Sequence, residues 1–180
     1  MNEETNPIHT EFAGLVEALR AGGLSFLLVG GLSLLAHHVE RATGDIDLAC
    51  DKSSRDLAAN LMAGLGYAIM HEKPDLYTRF HRPGRRIVDF IYLGADTYGQ
   101  LQEASVESEV SRVRVRVPCL DHLLAMKLFS VSQSSTRGKD FGDILSLIAN
   151  NGVDVRSKEF EAICLRHASP KWLSLIRELS

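Results

Sequence analysis

In Asp45-Ile46-Asp47-Leu48-Ala49, polar and apolar side chains alternate with a period of two, the pattern of a strand whose two faces meet different surroundings. No other feature constrains the chain as much. It commits two carboxylates, Asp45 and Asp47, to one face and turns Ile46 and Leu48 to the other. Unpartnered, such a pair repels and draws protons onto itself, and the usual relief is a divalent cation or an arginine. From these residues alone, a solvated strand end and a cation site both remain open.

The flanking segments alternate strand and helix signals. Phe12, Leu15, Val16 and Leu19 fall at helical spacing after Thr10, and Gly22-Gly23 ends that helix. Ser25 to Val29 is an apolar run closed by Gly30-Gly31, and Leu32 to Glu40 resumes a helical pattern. Ser53 to Leu65 is helical and stops at Gly66. Tyr67 to His71, Leu76 to His81 and Arg86 to Leu93 are predicted strands, the last two joined by a turn at Pro83-Gly84. A loop or short helix covers the region from Asp96 to Glu109, and Arg112 to Val117 is a further strand. Beyond Pro118 only helices are expected, at Leu120 to Val131, Lys139 to Asn150, Ser157 to His167 and Lys171 to Leu179. Ser132-Gln-Ser-Ser-Thr136 is a hinge-like loop between two of them.

The 180 residues, 45% of them hydrophobic, suffice for one compact domain or one domain with a small appended lobe, and they exclude a disordered tail. Twenty Lys and Arg against 23 Asp and Glu leave a net charge of -3, which argues against bulk nucleic-acid binding while allowing a local basic patch. Cys50, Cys119 and Cys164 are odd in number and widely spaced, so neither a disulfide framework nor a zinc site is expected. No leader pattern follows Met1, and no apolar run approaches the length needed to span a bilayer. A soluble, cytoplasmic protein is expected, with no membrane partner.

Two further features bear on chemistry. Gly30-Gly31 sits between strand and helix, where glycines let a backbone approach a phosphate and free N–H groups receive it. Asp89, in Arg86-Ile-Val-Asp-Phe-Ile-Tyr92, falls on the same strand face as Ile87 and Ile91 and needs a partner there. Together, Val29-Gly30-Gly31, Asp45-Ile46-Asp47 and Val88-Asp89-Phe90 resemble the pattern of the nucleotidyltransferase superfamily of the DNA polymerase β type, with Gly44 standing where that pattern commonly has an apolar residue. Arg41-Ala-Thr43 looks like the R-x-T that precedes Asp-Ile-Asp in minimal and abortive-infection toxin-like members. Lys127 and Arg137-Gly-Lys139-Asp140-Phe-Gly-Asp143 are similar to the helical signature of that toxin-like group.

The resemblance implies an α/β core at residues 1–117, with a mixed sheet flanked by helices, and a helical lobe at 118–180 closing a nucleotide cleft. It further implies transfer of a nucleoside monophosphate from an NTP, with ATP the expected donor, to an acceptor hydroxyl with two Mg2+ ions. Asp45, Asp47 and Asp89 would hold the metals, Asp89 on the acceptor side, where it would help deprotonate or orient the acceptor hydroxyl. Gly30, Gly31 and the Ser33 hydroxyl would cradle phosphates, while Lys127 or Lys139 would neutralise the departing pyrophosphate. The acceptor stays open among tRNA, protein and a small molecule of the kind modified by aminoglycoside adenylyltransferases, and an antitoxin-like partner is conceivable. A non-catalytic regulatory module on the same fold, such as a toxin–antitoxin component, is the competing expectation.

Plainer readings stand beside these. Lys127, Lys139, Asp140 and Asp143 also suit an exposed helix face with an i,i+4 pair from Lys139 to Asp143. The adjacent His37 and His38 point about 100° apart on a helix and suit packing better than ligation. Arg112, Arg114 and Arg116 share a strand face that reads as solvated or as a phosphate-tracking stripe. Arg79, Arg82, Arg85 and Arg86 extend that stripe or pair with acidic neighbours. A Rossmann site and a P-loop both lack their motifs.

Overall fold

The computed structural model describes residues 7–133 and 138–180. Helix α1 (Pro7–Ala21) leads into strand β1 (Leu27–Val29), whose last residue passes directly into the one-turn helix α2 (Gly30–Ser33) and a 3-10 turn at Leu34–His37. Strand β2 (Ile46–Asp51), helix α3 (Arg55–Gly64), strands β3 (Ala68–Lys73), β4 (Tyr77–His81) and β5 (Val88–Leu93), and helix α4 (Ala95–Glu103) follow. A separate hairpin, β6 (Val106–Val110) and β7 (Val113–Val117), precedes helices α5 (Leu120–Gln133), α6 (Gly138–Asn151), α7 (Lys158–His167) and α8 (Pro170–Leu179). The part of the hinge-like loop from residue 134 onward, with Arg137, lies outside the described residues.

The five-stranded sheet runs β1-β2-β5-β4-β3, with β2 and β5 parallel and every other pair antiparallel. One face carries Ile46, Leu48, Cys50, Val88, Phe90 and Phe80 against Phe12, Val16 and Leu19 of α1 and Ala58 and Met62 of α3. The opposite face, over β1 and β2, packs Leu27, Val29 and Ala49 on Tyr98 and Leu101 of α4. Helices α5 to α8 enclose their own core of Leu123, Leu124, Leu128, Ile144, Leu147, Phe160, Leu173 and Ile176, into which Leu34 and Val39 project from the segment after the double glycine. This is an α/β mixed sheet flanked by helices with a C-terminal helical lobe.

Two local differences from the sequence reading have physical causes. The helix expected from Leu32 to Glu40 is one α-turn and one 3-10 turn, ended at His38 by a left-handed φ of 60°. Buried His37 is held through Nε2 to the Pro118 carbonyl at 2.8 Å, and the side chains of Asn150 and Asn151 donate to the carbonyls of His38 and His37. Tertiary bonds have replaced the helical ladder there. Strand β6 is an addition: Val106-Glu-Ser-Glu-Val110 is mostly exposed and forms through its pairing with β7.

That hairpin also answers the arginine stripe. Glu107 stands opposite Arg116 and Glu109 opposite Arg114, so the register puts opposite charges on one face of the ladder. Arg116 additionally donates to the Ser105 hydroxyl and to the carbonyls of Gln102 and Ser105. Cys50, Cys119 and Cys164 are free thiols. No helix among the described residues is long and apolar enough to cross a membrane.

Candidate active site

Strand register assembles the acidic residues. Val29, Asp47, Asp89, Arg79 and His71 are successive Cα partners across β1, β2, β5, β4 and β3, a single row over the width of the sheet. Asp45 precedes β2 by one residue and lies near enough to join the row's charges. The parallel pairing of β2 with β5 brings Asp89, 42 residues after Asp47 in the chain, into direct register with it.

Asp47 is mostly buried, and its carboxyl is pushed up to about 6 from an ordinary 3.8, first by burial and then by repulsion from Asp89 and Asp45; the Gly31 N–H bond and the Lys127 charge pull the other way. Gly30 holds a φ of +63°, and a Cβ there would run into the Asp47 carboxylate. At Gly31 a Cβ would come within 2.7 Å of the Thr43 hydroxyl and 2.9 Å of an Arg41 guanidinium nitrogen. Both glycines are therefore demanded by the close approach of the acidic strand and the Arg41-Ala-Thr43 segment. Ser33 is fully buried and its hydroxyl donates to the Gly30 carbonyl at 2.9 Å. The hydroxyl expected to cradle a phosphate is thus bonded, in this structure, to the turn that carries it.

Arg79 is the residue whose role the sequence left undecided. Its Nε donates to Asp89 Oδ1 at 2.8 Å and its terminal nitrogen to Oδ2 at 2.6 Å, a two-pronged ion pair, with Asp45 Oδ2 at 3.7 Å from the same nitrogen. The signal was present: Arg79 and Asp89 each lie five residues from Gly84, so a hairpin centred on that glycine pairs them. The neighbouring arginines serve the backbone. Arg82 donates to the Leu65 carbonyl and Arg86 to the Thr43 carbonyl.

A cleft of about 350 Å³ opens where the core meets the helical lobe, and Gly30, Gly31, Asp45, Asp47, Lys127 and Lys139 are among its lining residues. Lys127, on α5, is 7% exposed and donates to Asp140 and Asp143 of α6, each at 2.7 Å. Asp143, 2% exposed, also receives Arg41 Nε at 2.8 Å, a charge contact outside hydrogen-bonding alignment. Asp140 in turn accepts from the Ser130 hydroxyl. The reading of Asp143 as the partner of Lys139 on an exposed helix face is corrected: Asp143 is buried and joins Arg41 of the core to Lys127 of the lobe. Lys139 is exposed at the cleft mouth.

The donor set is all oxygen, and the carboxylate repulsion that helps raise Asp47 to about 6 is the kind a hard divalent cation relieves, so the residues fit such a cation held by Asp45 and Asp47. Among the described residues no three His, Cys, Asp or Glu side chains already stand in an arrangement that holds a metal ion. Both oxygens of Asp89 are engaged by Arg79.

A glycine turn facing paired strand carboxylates, beneath a helical lobe, defines a protein of the nucleotidyltransferase fold. Over residues 15–178 the chain matches the family described as nucleotidyl transferase AbiEii toxin, type IV toxin–antitoxin system, and it belongs to that family. Solved structures agree on the fold. The antibiotic-resistance factor ANT(2'')-Ia, in solution, superposes with a TM-score of 0.69 at 16% identity, covering 88% of this chain and 90% of its own. The lincosamide antibiotic adenylyltransferase LnuA with lincomycin bound gives 0.62 at 15% identity, covering 78% and 96%. An antigenic nucleotidyltransferase-like protein from Paracoccidioides brasiliensis gives 0.56 at 19%, covering 94% and 92%. No curated protein matches the sequence.

Proposed function

We propose that this chain transfers a nucleoside monophosphate from an NTP, with ATP the expected donor, to an acceptor hydroxyl. The observation that carries the reading is the register of Asp47 with Asp89, beside a cleft lined by Asp45, Asp47, the Gly30-Gly31 turn, Lys127 and Lys139. In the reaction the acceptor oxygen bonds to the α-phosphorus, the bond to the bridging oxygen breaks, and pyrophosphate leaves. Bound between Asp45 and Asp47, with Asp89 on the acceptor side, two Mg2+ ions would stabilise charge on the attacking and leaving oxygens.

The chain's own groups supply the rest. Gly30 and Gly31 let the backbone lie against the phosphates without side-chain obstruction, and the exposed Lys139 sits where charge from the departing pyrophosphate accumulates. Lys127, already bonded to two carboxylates, acts mainly by positioning α6 against the cleft. Asp89, once an oxygen is free of Arg79, orients the acceptor hydroxyl and takes its proton. Ser33 shapes the turn from below.

Membership of a toxin family supports a cytoplasmic role alongside an antitoxin, with tRNA, a protein or a small molecule as acceptor. Incubation with each labelled NTP and Mg2+, together with total tRNA, candidate proteins or a panel of hydroxylated antibiotics, tests the reading. Label transfer that disappears in Asp47→Asn is expected. Transfer of equal rate in Asp47→Asn, or none to any acceptor class, would return the chain to the non-catalytic module.

A further inference from the structure

Asp45, Asp47 and Asp89 place three carboxylates on one sheet face, and the single cationic side chain bonded among them in the described structure is Arg79. Its guanidinium engages both oxygens of Asp89 and approaches Asp45 from the same nitrogen. Such a fork is a rigid planar donor matched to one carboxylate, stronger and more directional than a lysine would provide. It comes from β4, on the side of β5 away from Asp47, and its side chain is more than a third exposed, so solvent gives it room to swing clear.

We propose that Arg79 is the resident counter-cation of the acceptor-side carboxylate: it holds Asp89 away from a divalent cation and gives it up when that cation enters. Arg79 therefore sets the affinity and order of metal loading. The Asp45–Asp47 pair accepts a cation first, and the acceptor-side position fills only after the fork opens. This rests on the nucleotidyl-transfer reading of the same residues, and it adds a positioning residue outside the glycine and aspartate motifs. The physical ground is competition. A guanidinium left in place keeps a positive charge within a few ångströms of an incoming divalent ion, and that repulsion is large at protein-like dielectric.

The test is titration of the full chain with Mn2+ alone, without nucleotide, reading the free-ion paramagnetic resonance signal. Arg79→Gln is expected to bind Mn2+ about tenfold more tightly than wild type, or more, as the repulsive charge is lost. The gain should be absent from Arg79→Gln combined with Asp89→Asn. Arg79→Lys keeps a charge without the fork and should fall between; it also decides the matter if Arg79→Gln fails to fold by circular dichroism. Folded Arg79 variants with unchanged or weaker Mn2+ affinity, beside a wild-type affinity that Asp47→Asn abolishes, would overturn the role of Arg79 and leave the transfer reading standing. Absence of Mn2+ binding in wild type and in both Arg79 variants would overturn the two together.

Discussion

Neutralising Asp143 should loosen the join between core and lobe. Asp143 is 2% exposed and sits between the Lys127 ammonium at 2.7 Å and Arg41 Nε at 2.8 Å. Asp143→Asn keeps the shape and removes the charge, leaving a nearly buried ammonium with one carboxylate, Asp140, where it had two. Breaking a buried ion pair by removing one partner costs about 3–5 kcal/mol. The retained Asp140 contact, and an Arg41 side chain that is 29% exposed, place this case at the low end, near 3 kcal/mol by that scale. For a chain of this size each kcal/mol lowers Tm by roughly 2–4 °C, so a drop of roughly 6–12 °C is expected. Urea unfolding and thermal melts at neutral pH measure it, with Asp140→Asn as the comparison. Asp140 is more exposed and leaves Asp143 to hold Lys127, so its loss should be smaller. An Asp143→Asn protein melting within about 2 °C of wild type, or an Asp140→Asn protein losing more, would refute the assignment of the join to Asp143.

Other outcomes follow from the same geometry. Because the Asp47 carboxyl is raised to about 6 when folded, the native state holds its proton more tightly than the unfolded chain, so wild-type stability should fall as pH rises from about 4 to 6 and stay at the lower value above. Asp47→Asn should flatten that step in urea titrations at constant ionic strength, match or exceed wild-type stability at pH 7 without divalent ions, and abolish transfer. Gly30→Ala forces a Cβ onto the Asp47 carboxylate at a positive φ; it should cost about 1–3 kcal/mol in unfolding experiments and displace the acidic strand enough to remove activity. Lys139→Ala should stay within about 0.5 kcal/mol of wild type in stability while weakening NTP binding by isothermal titration, whereas Lys127→Ala should be clearly destabilised.

Local pattern determined much of this molecule. Alternation alone set Asp45 and Asp47 on one face and Ile46 and Leu48 on the other, because side chains on a strand must point to opposite sides. The double glycine was legible as a turn, and the helices after Pro118 were legible as apolar stripes, since a helix that packs must carry one. The segment Val106 to Val110 was not legible, because a mostly exposed strand with two glutamates and a single buried residue, Val110, carries no apolar stripe to announce it; pairing with β7 creates it. The helix expected after Gly31 was cut short by bonds from His37 to Pro118 and from Asn150 and Asn151 back to the turn, partners about 80 or more residues away.

The same division runs through the site. Sequence could nominate Asp89 as a strand carboxylate in need of a partner, and it could offer either a divalent cation or an arginine as the relief for clustered acids. It could not choose between them. That choice needed the hairpin register that sets Arg79 opposite Asp89, and the parallel pairing of β2 with β5 that sets Asp89 opposite Asp47. Likewise Lys127, Asp140 and Asp143 were visible as charges at helical spacing, but whether they faced water or one another depended on how α5 packs on α6 and where Arg41 arrives from the core. Spacing along a chain determines which face a charge takes. Which opposite charge it meets there is decided by contacts between segments far apart in sequence, and those exist only once the fold has brought them together.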